Sequence, residues 1–338
     1  CVFFFKVPAT TAIYTLSLLD ALPIYNYYLT TLEMAQFVAE GYLCFDAIVP
    51  TETNNRVLQE LPALASIKNR ALETQGIAGG VGIAPVSDDQ MISDKQVALP
   101  NTGLHLSDCY PSESIGEFLR LPQVQGIIHS LVGIDPIFDH DWVHLLPGGS
   151  QFEQHLHMDA VIDTSDPAFD IQLFYFPHAV APGDGGTRFL PGSHLRKVRA
   201  EGVSRYQHIV GDRQFSGPGG TVLVFHHGLW HAGQCNNGID DRWMYKIRLN
   251  PRVPQVRLWN TEDLERVHND FSDHQFAVVR TDSVGHIFRS MQPWQQGHES
   301  RYETIQRARL WRYLTGDSDY DVDYYLTRLG RRRELMAQ

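Results

Sequence analysis

The sequence predicts a mainly β protein, a sandwich or barrel of short strands with helices flanking it. Three observations carry that expectation. Between Phe138 and Asn250 short apolar stretches recur, punctuated by Gly and Pro. On either side of that region the apolar spacing is helical. The most distinctive polar cluster, Gly148–Val161 with His157-Met158-Asp159 inside it, falls among the strands. Alternation along a strand sets His157 and Asp159 on one face, with His155 beside them. An imidazole and a carboxylate so placed are two thirds of a 2-His-1-carboxylate set, which leaves three positions open on a non-haem iron.

The elements follow in order. The chain of 338 residues opens on Cys1 rather than Met, and Thr15–Ile24 resembles translated sequencing-adapter read-through. Residues 1–25 are therefore expected to be non-native and are set apart from the fold; they show neither a membrane span nor a secretory signal. Residues 26–254 form the main domain and 255–338 a helical extension. Thr30 and Glu33 are spaced as a capping box for a helix whose apolar face is Met34, Phe37 and Val38, and Gly41 stops it. A strand over Tyr42–Val49 and a helix from Pro50-Thr51 to about Leu61 come next. Residues 75–110 are rich in Gly, Asp, Ser and Pro, which predicts a long loop, either a lid or a surface insertion.

Ser114 and Glu117 suggest a second capping box. Pro122 opens a helix with Val124, Ile127, Ile128 and Leu131 on one face, ended by Gly133. The strands are expected at Trp142–Leu146, Gln151–Val161, Ile171–Phe176, Thr187–Leu190, Tyr206–Val210, Thr221–Phe225 and Trp243–Leu249. Beyond Pro254 helical spacing returns, clearest in Tyr302, Ile305, Ala308, Trp311 and Leu314 before Gly316. The Arg331–Arg333 tail is a solvated helix end.

Composition narrows the function. A hydrophobic content of 43% supports a sizeable core, and a formal net charge of −11 disfavours a nucleic-acid partner. Cys1, Cys44, Cys109 and Cys235 have no paired spacing and are expected to be reduced thiols. Sixteen histidines suit metal chemistry. The chain carries a second His-X-Asp, His268-Asn269-Asp270, in a charged stretch expected to be an exposed helix. What distinguishes the first is Phe225-His226-His227-Gly228-Leu229-Trp230-His231, several strands downstream, followed by Arg242 at the start of a strand. A late histidine beside an early His-X-Asp would complete a three-ligand site. A guanidinium suits a buried carboxylate because its planar fork meets both oxygens.

This layout resembles the phytanoyl-CoA dioxygenase-like family of iron(II)/2-oxoglutarate oxygenases. The resemblance rests on Phe37–Leu43, His157-Met158-Asp159, Gly185–His194, Phe225–His231 and Arg242, in that order. It implies a double-stranded β-helix, or jelly roll, with flanking helices. It makes His157, Asp159 and His231 the Fe(II) ligands and Arg242 the anchor for the far carboxylate of 2-oxoglutarate. Phe174 and His144 would face the cosubstrate. The implied activity is hydroxylation of a small-molecule C–H bond with O2, giving succinate and CO2, with ascorbate as the in vitro reductant. The retained Asp159 argues against halogenase chemistry. A cytoplasmic enzyme acting away from membranes and nucleic acid is expected. The chain departs from the pattern at Gly233, where relatives often carry Ser.

Rivals remain at several positions. His226 and His227 compete with His231, and Lys246 and Arg248 share the face of Arg242. Pro191–His194 is expected to be a tight turn with His194 near the surface. A cupin-type enzyme would use His155 and His157 after Gly149, although Val161 and Ile162 stand where its Glu belongs. A degenerate binding protein on the same barrel would keep the ligands without turnover.

Overall fold

The computed structural model describes residues 24–61, 95–98, 104–109, 114–159, 166–196, 198, 200–268 and 281–328. Residues 1–23 of the segment expected to be non-native, most of the 75–110 loop, Asp270 and the Arg331–Arg333 tail lie outside them.

Helix α1 (Thr31–Glu40) starts where the capping box predicts. The Glu33 N–H donates to Thr30 Oγ1 at 3.3 Å, and the Thr30 N–H donates to the Glu33 carboxylate at 2.7 Å. Such a cap contributes about 1 kcal/mol. Met34, Phe37 and Val38 are fully buried. Gly41 ends the helix with φ 76°, and a Cβ there would lie 2.4 Å from the His194 ring. The residue that stops the helix therefore also makes room for a buried imidazole. That corrects the expected surface position of His194, which is 2% exposed.

Strand β1 (Tyr42–Phe45) is shorter than expected, and helix α2 spans 51–61. Within 75–110 the chain contributes β2 (Lys95–Ala98), β3 (Leu104–His105) and α3 (Leu106–Cys109), so this stretch is not structureless. Helices α4 (Ser114–Arg120) and α5 (Pro122–Val132) follow. Ser114 does not form the predicted capping box. Its N–H and hydroxyl both donate to Glu60, while Glu117 pairs with Arg56. In α5 the predicted face of Val124, Ile127, Ile128 and Leu131 is buried.

The strands are β4 (Ile137–Leu146), β5 (Ile171–Phe176), β6 (Arg188–Phe189), β7 (Arg213–Gln214), β8 (Thr221–His226), β9 (His231–Ala232) and β10 (Arg242–Asn250). The larger sheet has the order β1-β8-β5-β10-β4-β2, with β3 added on β4. The smaller runs β7-β6-β9, and every pairing is antiparallel. Mainly β with flanking helices is thus the architecture. The larger sheet does not close on itself among the described residues, so the barrel part of the jelly-roll expectation is not met by strand pairing. The expected strand over Tyr206–Val210 is absent. The Gln207 carbonyl and the His208 ring there bind the Arg188 guanidinium instead of a neighbouring strand.

The larger sheet buries two different faces. Ile171, Leu173, Tyr175, Val222, Val224, Tyr245, Ile247 and Leu249 point to the helices and join the main core. Phe174, Phe176, Leu223, Phe225 and Met244 point to the smaller sheet and pack with Phe189 and Phe215. A short helix α6 (Ala200–Val203) follows β6, and helices α7 (Leu264–His268), α8 (Val284–Arg289) and α9 (His298–Thr315) share the main core with α1. In α9, Ala308, Trp311 and Leu314 are buried, and Gly316 ends the helix. His268 accepts a hydrogen bond from the Trp311 indole at 2.8 Å, so its helix is packed rather than exposed. No helix among the described residues is long and apolar enough to cross a membrane.

A stack of buried imidazoles lies between α1 and β8. The His194 and His226 ring centroids are 4.8 Å apart, and those of His226 and His227 are 4.4 Å apart. Burial pushes His194 down to about 3 and His227 to about 4, and holds His226 well below its usual value. In the unfolded chain such imidazoles titrate near 6.5. Between those values the unfolded state binds protons that the folded state refuses, so acid favours unfolding. The thermal midpoint should fall as pH drops from about 6.5 toward about 4, each histidine contributing up to about 1.4 kcal/mol per pH unit. A midpoint independent of pH across that window would show that these rings are solvated.

Candidate metal centre

Two histidines from distant parts of the chain are joined through the backbone. The His157 N–H donates to the His231 carbonyl at 2.9 Å, and the His231 N–H donates to the His157 carbonyl at 2.8 Å. This is an isolated antiparallel bridge, and it holds the ring centroids 4.6 Å apart. Each imidazole is then turned in the same way. His157 Nδ1 lies 2.7 Å from the His155 carbonyl, and His231 Nδ1 lies 2.9 Å from the Leu229 carbonyl. A carbonyl can only accept, so Nδ1 carries the proton and Nε2 keeps its lone pair.

Both Nε2 atoms face Asp159. His157 Nε2 is 3.5 Å from Oδ1, and His231 Nε2 is 3.3 Å from Oδ2. Among the described residues these three form the one group of His, Cys, Asp and Glu side chains that could hold a metal ion, with donor atoms within 4.8 Å of one another. The chemistry of the set fits such an ion. Burial alone would raise the Asp159 carboxyl, but the Lys246 ammonium and His231 outweigh it and hold the group well below the usual carboxylate range. Burial lowers His231, more than Asp159 raises it. An ionised carboxylate and, at His231, an imidazole whose burial favours the neutral form therefore share a point with His157.

The expected strand over Gln151–Val161 is not continuous. Residues 151–156 form no strand, although the Gln154 N–H donates to the Gly233 carbonyl at 3.0 Å just beyond β9, and Ala160 and Val161 lie outside the described residues. The reason is local. The Gly233 N–H, which would extend the ladder, donates instead to the Gln154 side chain at 2.9 Å. Gln154 thereby occupies the side of Gly233 to which a side chain would project; a Cβ there would sit 3.0 Å from Gln154 Oε1.

Strand β10 forms the opposite wall. Its inner face carries Arg242, Met244, Lys246 and Arg248, since Tyr245, Ile247 and Leu249 point to the core. In register, Met244 faces His144, Lys246 faces Trp142 and Phe174, and Arg248 faces His140 and Gln172. Arg242 is buried at the end of this face. Arg248 is engaged elsewhere, 2.7 Å from Asp170 and 3.6 Å from Asp139. Lys246 makes a short contact with Asp159 Oδ2 and lies 5.5 Å from the Phe174 ring centroid. Phe174 is 5.7 Å from the His231 ring. His144 Nε2 is buried without a hydrogen-bond partner among the described residues. Burial, then the charges of Lys246 and Arg242, hold its pKa well below the usual value.

The structure thus brings together His157, Asp159 and His231, with Phe174 and His144 on the neighbouring walls. It does not bring His155, whose exposed ring hydrogen-bonds Gln207 at 2.9 Å. It also leaves out His226 and His227, which belong to the buried stack. Lys246, in the sequence only a rival to Arg242, and Gln172, which no motif marks, both face inward. Alternation along β10 and β5 was the available signal, because it places both on the inner face.

No protein-family model matches the chain, and no curated protein matches it. Solved structures do. AviO1 from Streptomyces viridochromogenes Tue57 aligns at TM-score 0.46 and 17% identity, covering 67% of this chain and 99% of its own. EctD from S. alaskensis, solved with 2-oxoglutarate and 5-hydroxyectoine, aligns at TM-score 0.46 and 16% identity, covering 66% and 76%. The non-heme alpha ketoglutarate dependent carbocyclase SnoK from nogalamycin biosynthesis aligns at TM-score 0.46 and 16% identity, covering 70% and 90%. EctD is also solved with bound Fe. At these scores and identities, what those proteins bind does not transfer to this chain by likeness, and the site is read from its own side chains.

His231→Ala should lower divalent-metal affinity at least ~100-fold in calorimetric titration, because it deletes a donor. His155→Ala should stay within about threefold of the parent, because only its backbone carbonyl serves the site. Equal losses in both variants would contradict the donor set.

Proposed function

We propose that the chain is an iron(II)- and 2-oxoglutarate-dependent dioxygenase that hydroxylates a C–H bond of a small molecule, on a double-stranded β-helix of the phytanoyl-CoA dioxygenase-like kind. The observation that carries the reading is the convergence of two Nε2 lone pairs and one carboxylate, three donors that leave open positions for a bidentate 2-oxo acid and O2. When bound, iron(II) and 2-oxoglutarate would let O2 act as the oxidant, one oxygen atom going to the 2-oxo acid to give succinate and CO2 and the other to the C–H bond as hydroxyl.

The chain's own residues position the reactants. His157, Asp159 and His231 hold the metal, and the Nδ1 contacts with the carbonyls of His155 and Leu229 keep both rings turned to it. Arg242 binds the far carboxylate of the cosubstrate, a charge that would be costly to leave unpaired among buried groups. Phe174, Phe225 and Met244 line the inner face with apolar surface and keep water from the reacting centre. His144 offers its unpartnered Nε2 on the adjoining strand. The cupin alternative loses its support, since the His155 ring turns to Gln207.

A succinate-release assay with Fe(II), 2-oxoglutarate, ascorbate and a panel of small molecules tests the reading. Asp159→Ala should abolish release; full activity in that variant would exclude the carboxylate as ligand. Arg242→Ala should raise the 2-oxoglutarate concentration for half-maximal release at least ~tenfold, with metal affinity unchanged. An unaltered requirement would move the anchor to another cation of β10.

A further inference from the structure

We propose that Lys246 is a positioning residue of the metal centre. Its ammonium holds one oxygen of Asp159, leaves the other to the metal ion, and by its charge biases the site toward a divalent over a trivalent ion. The proposal rests on the donor set behind the iron reading above and deepens it by naming what selects the charge of the ion.

The first observation is the contact itself. Lys246 Nζ forms a short ion pair with Asp159 Oδ2, between side chains that are 12% and 20% exposed. The two oxygens of the carboxylate are thereby made unlike. Oδ2 carries the ammonium, whereas Oδ1 faces His157 Nε2 at 3.5 Å. His231 Nε2 stands 3.3 Å from Oδ2, so the ammonium and both imidazoles meet at one carboxylate. A carboxylate that binds a metal through one oxygen is commonly oriented by a hydrogen bond to the other. A charged donor makes the strongest bond of that kind.

The second observation is that the ammonium is fixed in place. Lys246 lies on the middle strand of three, with Trp142 of β4 and Phe174 of β5 as its register partners. Its Nζ is 5.5 Å from the Phe174 ring centroid, and that ring is 5.7 Å from the ring of His231. The ammonium and a metal donor thus share an aromatic neighbour. Arg248, two residues further along the same face, is engaged by Asp170 at 2.7 Å and Asp139 at 3.6 Å. That guanidinium does not compete with Lys246 for Asp159.

The consequence for the ion follows from Coulomb's law. Repulsion between the ammonium and the metal ion grows in proportion to the charge of the ion, and burial weakens the screening. At one distance a trivalent ion is opposed about half as strongly again as a divalent one. An ammonium is a compact point charge, so the effect is concentrated at the carboxylate it touches. Lys246 therefore weakens Fe(III) binding more than Fe(II) binding, and Fe(II) is the ion from which the proposed reaction starts.

The test uses the full chain loaded anaerobically with Fe(II) alone. Titration with redox mediators gives the Fe(III)/Fe(II) potential, and from it the ratio of Fe(III) to Fe(II) binding constants. Lys246→Met and Lys246→Gln should each raise that ratio at least ~tenfold, and Lys246→Arg should keep it within about threefold of the parent. In crystals of the Mn(II) form, Lys246 Nζ should lie within hydrogen-bond distance of the Asp159 oxygen that does not touch the metal. A ratio unchanged in either neutral variant, an equal rise in Lys246→Arg, or an ammonium turned away from Asp159 in the Mn(II) form would each overturn the proposal. A parent protein that binds neither Fe(II) nor Mn(II) would overturn the donor set, and this proposal with it. A parent that binds both, with a ratio indifferent to Lys246, would overturn this proposal alone.

Discussion

Two backbone hydrogen bonds, exchanged between His157 and His231, are the constraint on which the site depends. They join the 148–159 segment to β9 at one residue pair, and beyond it single backbone hydrogen bonds, among them the Gln154 N–H to the Gly233 carbonyl at 3.0 Å, tie the segment to the chain after β9. That single bridge sets the separation of the two rings, and the carbonyls of His155 and Leu229 set their rotation. Because both rings are turned by backbone atoms, the donor geometry is not left to free rotamers. Asp159 then needs only the two-residue step from His157 to reach the common point. A preorganised set of this kind loses little conformational entropy when a metal binds.

The sheet behind the site divides its labour by alternation. On β5 and β10 every second residue enters the main core with the helices, and the residues between them form the inner wall. Such a strand cannot trade residues between faces without moving a charge into the core or a hydrophobe into the site. This is why Arg242, Lys246 and Arg248 sit next to Tyr245, Ile247 and Leu249 in sequence yet in opposite environments. The cations of the wall also explain the electrostatics of the centre. They help hold Asp159 ionised despite burial, and they add to burial, the larger cause, in holding His144 well below its usual pKa.

Much of this organisation was legible in the sequence where a local rule had no competitor. The Thr30–Glu33 box, the Gly41 and Gly316 stops, the Val124–Leu131 face and strand Ile171–Phe176 all follow from short-range chemistry. The failures lie where a side chain captured a backbone group or a tertiary contact overrode a local pattern. Gln154 takes the Gly233 N–H and interrupts the strand expected over Gln151–Val161. Arg188 takes Gln207 and removes the one expected over Tyr206–Val210. Glu60, distant in sequence, takes Ser114 from its predicted cap partner. His194 is buried because Gly41 leaves it a cavity, a contact between residues far apart that no periodicity reveals. At the site, residue types and order pointed to His157, Asp159 and His231, whereas the contact of Lys246 with Asp159 required the register of three strands.

Diffraction from crystals soaked in Mn(II), recorded at a wavelength where manganese scatters anomalously, tests the central claim most directly. One strong anomalous peak should stand about 2.0–2.2 Å from His157 Nε2, His231 Nε2 and an Asp159 oxygen together. A peak bound elsewhere, or one that includes the His155 or His226 ring in place of His231, would contradict it.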